Sequence, residues 1–146
     1  MRTLIHRYRC CEVICFLTVV CLTGCTRSNT PPLGDVKGRI TFEGEPVEMA
    51  MVTFTPTAGG RQSFGRTDED GNYVMQFNHT ESGALVGSHR VVIISEVEGS
   101  TPEEGDVSTP MVKARKEFLP SKYNKSSELT ADIKSGKNTV DFALTK

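Results

Sequence analysis

The chain has 146 residues, 24% of them charged, with a formal net charge of −1 and no tryptophan. That length holds one domain with some chain to spare, the composition rules out wholesale disorder, and the charge leaves no electrostatic footprint for a nucleic-acid partner. All five cysteines (Cys10, Cys11, Cys15, Cys21 and Cys25) fall within the first 25 residues, which excludes a disulfide framework and, with His6 the sole histidine nearby, a zinc site.

The first element in chain order reads as a leader. MRTLIHRYR carries Arg2, Arg7 and Arg9, and VICFLTVVCL (13–22) is an uncharged, mostly apolar run with Glu12 at its edge. Such a run matches a signal-peptide core and falls short of the roughly 17–25 residues that span a bilayer as a helix. It ends in Leu22-Thr23-Gly24-Cys25, which resembles the lipobox of bacterial lipoprotein precursors: a branched apolar residue, two small residues, then cysteine. The resemblance implies that residues 1–24 are a signal peptide cut before Cys25. The Cys25 thiol would carry a diacylglyceryl group and the new amino terminus a further acyl chain, making the lipid bilayer the first partner. Each buried CH₂ contributes about 0.8 kcal/mol, so one chain binds marginally and two or three hold durably. Thr26 stands where an aspartate would signal inner-membrane retention, so the expected location is the outer membrane or cell surface, facing the periplasm or the exterior.

Residues 25–34 follow as the lipidated cysteine and a tether. TRSNTPPLG is polar, has paired prolines and no periodicity, and reads as a short extended spacer. From Asp35 the period becomes two. DVKGRITFE places Val36, Gly38, Ile40 and Phe42 on one face and Lys37, Arg39, Thr41 and Glu43 on the other, with Gly44-Glu45-Pro46 as the turn. VEMAMVTFTP gives the next strand, with Ala50, Val52 and Phe54 sharing a face. RQSFGRT is a weaker third strand, closed by Asp68-Glu69-Asp70-Gly71, a hairpin turn that puts glycine where φ is positive. NYVMQF aligns Tyr73, Met75 and Phe77; HRVVIISE, apolar on both faces in its middle, reads as a central strand. ELTADI and TVDFAL close the chain around the turn 135–138, with Val140, Phe142 and Leu144 toward the core.

Seven short strands at near-regular spacing, with no sustained 3.6-residue apolar period, predict an all-β fold: a single Ig-like β-sandwich over residues 35–146. The departure is the stretch from Val97 to Ser126, long for a loop in a compact domain unless it is functional. Its first half, EVEGSTPEEGDVSTP, is acidic and rich in glycine and proline. Its second half, KARKEFLPSKYN, begins basic and contains Phe118, Leu119 and Tyr123, which could pack back on the sandwich edge.

VKGRITFEGEPVEMAMVTFTP followed by GRTDEDGNYVM resembles the carboxypeptidase regulatory-like domain, a transthyretin-like seven-stranded sandwich. The matching positions are Val36, Gly38 and Ile40; Gly44 and Pro46; Val52 and Phe54; and Thr67, Asp68, Asp70, Gly71 and Tyr73. The tail LPSKYN…LTADIKSGKNTVDFAL is similar to the ending of small bacterial lipoproteins that carry this domain alone. The resemblance implies a structural or protein-interaction module of the cell envelope, without catalytic residues and therefore not an enzyme. It also implies no cofactor and no metal.

DEDGN (68–72) offers oxygens at alternate positions, but the twelfth position of a calcium loop counted from Asp68 is His79, not a glutamate, so Asp68 and Asp70 read as turn formers. His79 and His89 have no nucleophile motif to serve and read as surface or satisfied residues. Lys37 and Asn138 could form a crosslink between first and last strands, yet Lys37 lies on the charged face and Asn138 in a turn. A surface module binding carbohydrate or peptide is the alternative function; its aromatic candidates are Tyr123, Phe64 and Phe118, since Tyr73 takes a core position. The candidate interaction loop for an envelope or surface protein partner is Glu103, Glu104, Lys113, Arg115 and Lys116, because long loops on rigid sandwiches carry recognition.

Overall fold

The computed structural model describes residues 32–100 and 111–146. The leader, the lipobox residues Leu22, Thr23, Gly24 and Cys25, and the loop residues Glu103 and Glu104 lie outside them. The unit Pro31–Lys146 is compact and carries an apolar core.

Among the described residues the fold is all-β, in two sheets, with a single 3₁₀ turn at Ser121–Tyr123. The strands are β1 (Leu33–Phe42), β2 (Glu45–Pro46), β3 (Met51–Pro56), β4 (Ser63–Arg66), β5 (Asn72–Val74), β6 (Ala84–Leu85), β7 (Gly87–Ile94), β8 (Thr130–Ile133), β9 (Gly136–Thr139) and β10 (Phe142–Leu144). Turn spacing in the sequence predicted seven; the described residues carry ten strand segments, because several pair over only two to four residues.

β1 organises the first sheet. It pairs antiparallel with β2, β5 and β6 (Phe42↔Glu45, Gly38↔Tyr73, Gly34↔Ala84) and parallel with β9 and β10 (Val36↔Asn138, Ile40↔Phe142). Its alternation works as the sequence predicts: Val36 and Ile40 are buried, while Lys37 and Arg39 face solvent. Phe42 is only partly buried, at the rim of the core. The second sheet runs β4-β3-β7-β8, all antiparallel, and β7 is internal, as the doubly apolar run HRVVIISE requires.

Phe54 stands at the centre of the core, 0% exposed, with the rings of His89, Phe142 and Tyr73 at 5.8, 6.4 and 6.5 Å. The inner residues of both sheets, among them Val52, Met75, Val91, Ile93, Ile133 and Leu144, close around it.

Two turns differ from expectation. The first hairpin turns at Glu43-Gly44 (φ 53° and 90°), a pair of left-handed residues suited to a two-residue connection, and Glu45–Pro46 already belongs to β2. At the C-terminal end, residues 136–138 form the start of β9 rather than a turn. Asn138 does both jobs: its backbone pairs with Val36, while its side-chain amide donates to the carbonyls of Lys134 (2.8 Å), Gly136 (3.0 Å) and Asp35 (3.2 Å). The strand expected across 139–144 is broken between β9 and β10, where Val140 O accepts the Tyr73 hydroxyl (2.6 Å) and Asp141 Oδ1 accepts Arg39 N–H (2.8 Å). Val140 is consequently only partly buried, while Phe142 and Leu144 reach the core.

The DEDGN segment, expected as a hairpin turn, is a tight turn that carries the chain from β4 in the second sheet to β5 in the first. Asp68 Oδ1 accepts the N–H groups of Asp70 (3.0 Å) and Asn72 (2.8 Å), and Gly71 has φ 78°. The Asn72 amide, above all, holds the Asp68 carboxyl below its ordinary pKa of 3.8.

Candidate functional site

The patternless stretch after β7 is an ordered arm where it is described. Val97 and Arg115 exchange two backbone hydrogen bonds (2.8 and 2.9 Å), as do Ser100 and Val112 (3.0 and 2.9 Å), so the chain leaves and returns as a narrow antiparallel ribbon. Neither half alternates in sequence, because the ribbon rests on backbone pairing and buries little besides Val97.

Its base is clamped to β7 by charge-assisted hydrogen bonds. The Glu117 carboxylate accepts from Ser95 N–H (3.0 Å), Leu119 N–H (2.8 Å) and, in a very short contact, the Ser95 hydroxyl. Arg115 closes the other side: Nε donates to Ser95 O (3.0 Å) and Nη2 to Glu48 O (2.6 Å), with its guanidinium 5.3 Å from the Phe118 ring centre. Phe118 in turn lies 5.9 Å from Phe42. Leu119 and Tyr123 are buried, and the Tyr123 hydroxyl donates to Thr145 O and accepts Thr145 N–H. The segment that the sequence allowed to pack back onto the sandwich therefore does so through Leu119 and Tyr123, with Phe118 half-exposed.

Between the arm and the turn before β3 lies an open concavity of about 560 Å³, lined by Glu48, Met49, Val97, Met111, Lys113 and Arg115 among others. Met111 is 77% exposed at its rim, and Met49 takes a left-handed backbone (φ 58°), held by hydrogen bonds from Met49 N–H to Thr67 O and from Ala50 N–H to Thr67 Oγ1. Of the five residues proposed for the interaction loop, Lys113 and Lys116 are exposed and Arg115 is committed to the clamp. Of the three that are described, Lys113 and Arg115 line the concavity. Met111 and Met49 carried no signal in the sequence, since Met111 is placed by the ribbon register and Met49 by the turn before β3.

Replacing Glu117 by alanine removes three accepted hydrogen bonds, two of them from backbone amides. The expected cost is about 2 kcal/mol. Hydrogen exchange checks it: the Ser95 and Leu119 amides lose protection well beyond the global change, while Val52 and Ile93 do not.

His89 departs from expectation. It is 1% exposed, Nδ1 lies 3.0 Å from Gly87 O, and Nε2 has no partner among the described residues; the buried Ser63 hydroxyl is likewise unpartnered. The signal was present, since His89, Val91 and Ile93 share one face of β7. Burial lowers the imidazole pKa from 6.5, against the smaller opposing pulls of the Gly87 carbonyl and the Asp132 carboxylate. The unfolded chain thus binds the proton more readily than the folded one. The His89 contribution is complete above pH 6.5 and is lost as pH falls below it toward the lower folded pKa. Urea midpoints should fall across that window, and His89→Leu should flatten the slope there.

The remaining candidates are dispersed. His79 is exposed at a turn, Lys37 is exposed on β1, and the Asn138 amide is occupied by three carbonyls. Among the described residues no group of three His, Cys, Asp or Glu side chains could hold a metal, and no helix is long and apolar enough to cross a membrane. Burial drives the Tyr73 phenol pKa upward, in keeping with its place against Val140.

No family model and no curated protein matches the chain. Among solved structures it is similar to a 9R-lipoxygenase from Cyanothece, with 14% identity over 81% of this chain and a TM-score of 0.36. The chain spans 17% of that protein's length. The expectation that the chain is not an enzyme is withdrawn on this finding: the matched protein is an enzyme, and at this score the likeness assigns neither catalysis nor its absence.

Proposed function

We propose that the chain is a lipid-anchored protein of the bacterial envelope whose β-sandwich, resembling the carboxypeptidase regulatory-like domain, serves a structural or protein-interaction role. The leader with its lipobox supports the anchor at Cys25, and the short tether keeps the sandwich close to the bilayer. The observation that carries the interaction role is the arm with its concavity. A ribbon clamped at its base by Glu117 and Arg115 presents exposed Met111 and Lys113 beside an open hollow, as a rigid recognition element requires.

Two measurements test this. Intact mass of the protein extracted from its native membrane should give a chain beginning at Cys25 and carrying two or three acyl groups; an uncleaved, unlipidated mass would refute the anchor. A photo-crosslinker placed at Met111 should capture one envelope protein in cells, and the same crosslinker at Glu45 should not. Equal labelling from both positions would remove the arm from the proposal.

The second reading, a ligand-binding module for carbohydrate or peptide, is favoured by a different observation: a cleft at Phe64 and Phe77, apart from the arm.

A further inference from the structure

The geometry points to a binding site for a carboxylate-bearing six-membered ring in a cleft of about 380 Å³ lined by Arg61, Phe64, Gln76, Phe77, Asn78 and His79. The inference rests on the ligand-binding reading and is independent of the protein-docking one.

The floor of the cleft is rigid. Phe64 and Gln76 exchange backbone hydrogen bonds of 3.0 and 2.7 Å, tying β4 to the chain that continues from β5. One wall is the turn after Phe77. Asn78 Oδ1 accepts the N–H groups of Thr80 and Glu81 (both 2.8 Å), and its Nδ2 donates to Glu81 Oε2 (2.6 Å). That turn carries His79 in a fixed place, and it occupies the one carboxylate nearby in sequence, Glu81.

Three features then select the ligand. Arg61 lies over the Phe77 ring at 5.8 Å and makes no hydrogen bond among the described residues, so its planar fork is positioned but unused. A guanidinium held this way pairs with a carboxylate through two parallel N–H···O bonds. Phe64 is 45% exposed at the cleft, a ring face suited to the apolar face of a sugar or an aromatic ring. Gln76 Oε1 accepts the Ser82 hydroxyl (3.2 Å), which leaves the amide N–H groups of Gln76, with the His79 imidazole, for ring hydroxyls. The volume falls near the lower end of the range for small-molecule sites, which fits one ring rather than a chain of them. A hexuronate and an aromatic acid share this chemistry and differ in their hydroxyls.

The test is an amide NMR titration of the full-length protein with glucuronate, benzoate, glucose and acetate at constant ionic strength. The expected result is saturable, millimolar shifts at Arg61, Phe64, Gln76, Phe77 and His79 with glucuronate or benzoate, and none with glucose. Preference for glucuronate identifies an acidic sugar as the ligand, and preference for benzoate an aromatic acid. Arg61→Gln should weaken the preferred acid about ten-fold or more with the rest of the spectrum unchanged. The proposal is overturned by the absence of saturable shifts with both ring acids, by shifts spread over the surface, by unchanged binding to Arg61→Gln, or by acetate binding as tightly as either ring acid.

Discussion

Gly38→Ala should leave the sandwich unable to fold. An added Cβ at this position would sit 1.7 Å from Val140 O and 2.6 Å from its carbonyl carbon, with Tyr73 Cε1 at 3.0 Å. The first two are backbone atoms, held by the Val140 N–H to Lys37 O bond (2.8 Å) and by the Tyr73 hydroxyl, so no rotamer relieves the overlap. The remaining route is to part β1 from the chain between β9 and β10, which undoes the first sheet. The cost should be at least ~3 kcal/mol, a large share of the stability of a domain this size. Soluble yield and circular dichroism of the variant check it. Two controls locate the cause. Tyr73→Phe in the same background should not rescue, because the clash is with backbone. Gly59→Ala, where a Cβ meets nothing within 4 Å but φ is 87°, should cost only about 1–2 kcal/mol.

Phe54→Ala should destabilise by about 3–5 kcal/mol, since it empties a fully buried ring site whose neighbours come from both sheets. β3 is held in register on both sides, by Ser63 opposite Phe54 on β4 and Val91 opposite it on β7, so the backbone has little freedom to collapse into the space. The melting temperature should drop by roughly 15 °C. Phe118→Ala, at a ring that is 44% exposed, should cost about 1 kcal/mol and serves as the comparison. Similar losses from both would mean that Phe54 is not the centre of the core.

What was legible in the sequence follows from what each element uses to hold itself. β1, β3, β5 and β7 bury alternate residues, and alternation is visible: Val36 with Ile40, Val52 with Phe54, Tyr73 with Met75, Val91 with Ile93. The turn at Asp68–Gly71 was visible because its chemistry is local. β9 was hidden, since Gly136, Lys137, Asn138 and Thr139 bury no apolar side chain and meet β1 through backbone pairing and the Asn138 amide. β2 and β6, at two residues each, are too short to show a period.

The candidate sites were less legible still. Basic character singled out Arg115, but its guanidinium serves Ser95 and Glu48 across the fold, a role set by contacts more than sixty residues apart in one case. Glu117 showed nothing in the sequence that separates it from a solvated glutamate. The cleft joins Arg61 and Phe64 to Phe77 and His79 across the bridge from Phe64 to Gln76, a pairing that local patterns do not encode.

The pairing of β1 with β9 and β10 also dictates when this protein can fold. Arg39 N–H meets Asp141 Oδ1 across 102 positions of chain, and Asn138 Nδ2 reaches Asp35 O across 103. The first strand of the sandwich thus waits for the last residues to be synthesised before half of its hydrogen bonds can form. Contacts of such range make folding slow. A nascent chain emerging amino end first cannot complete this sheet until residues 136–144 have followed β1 out.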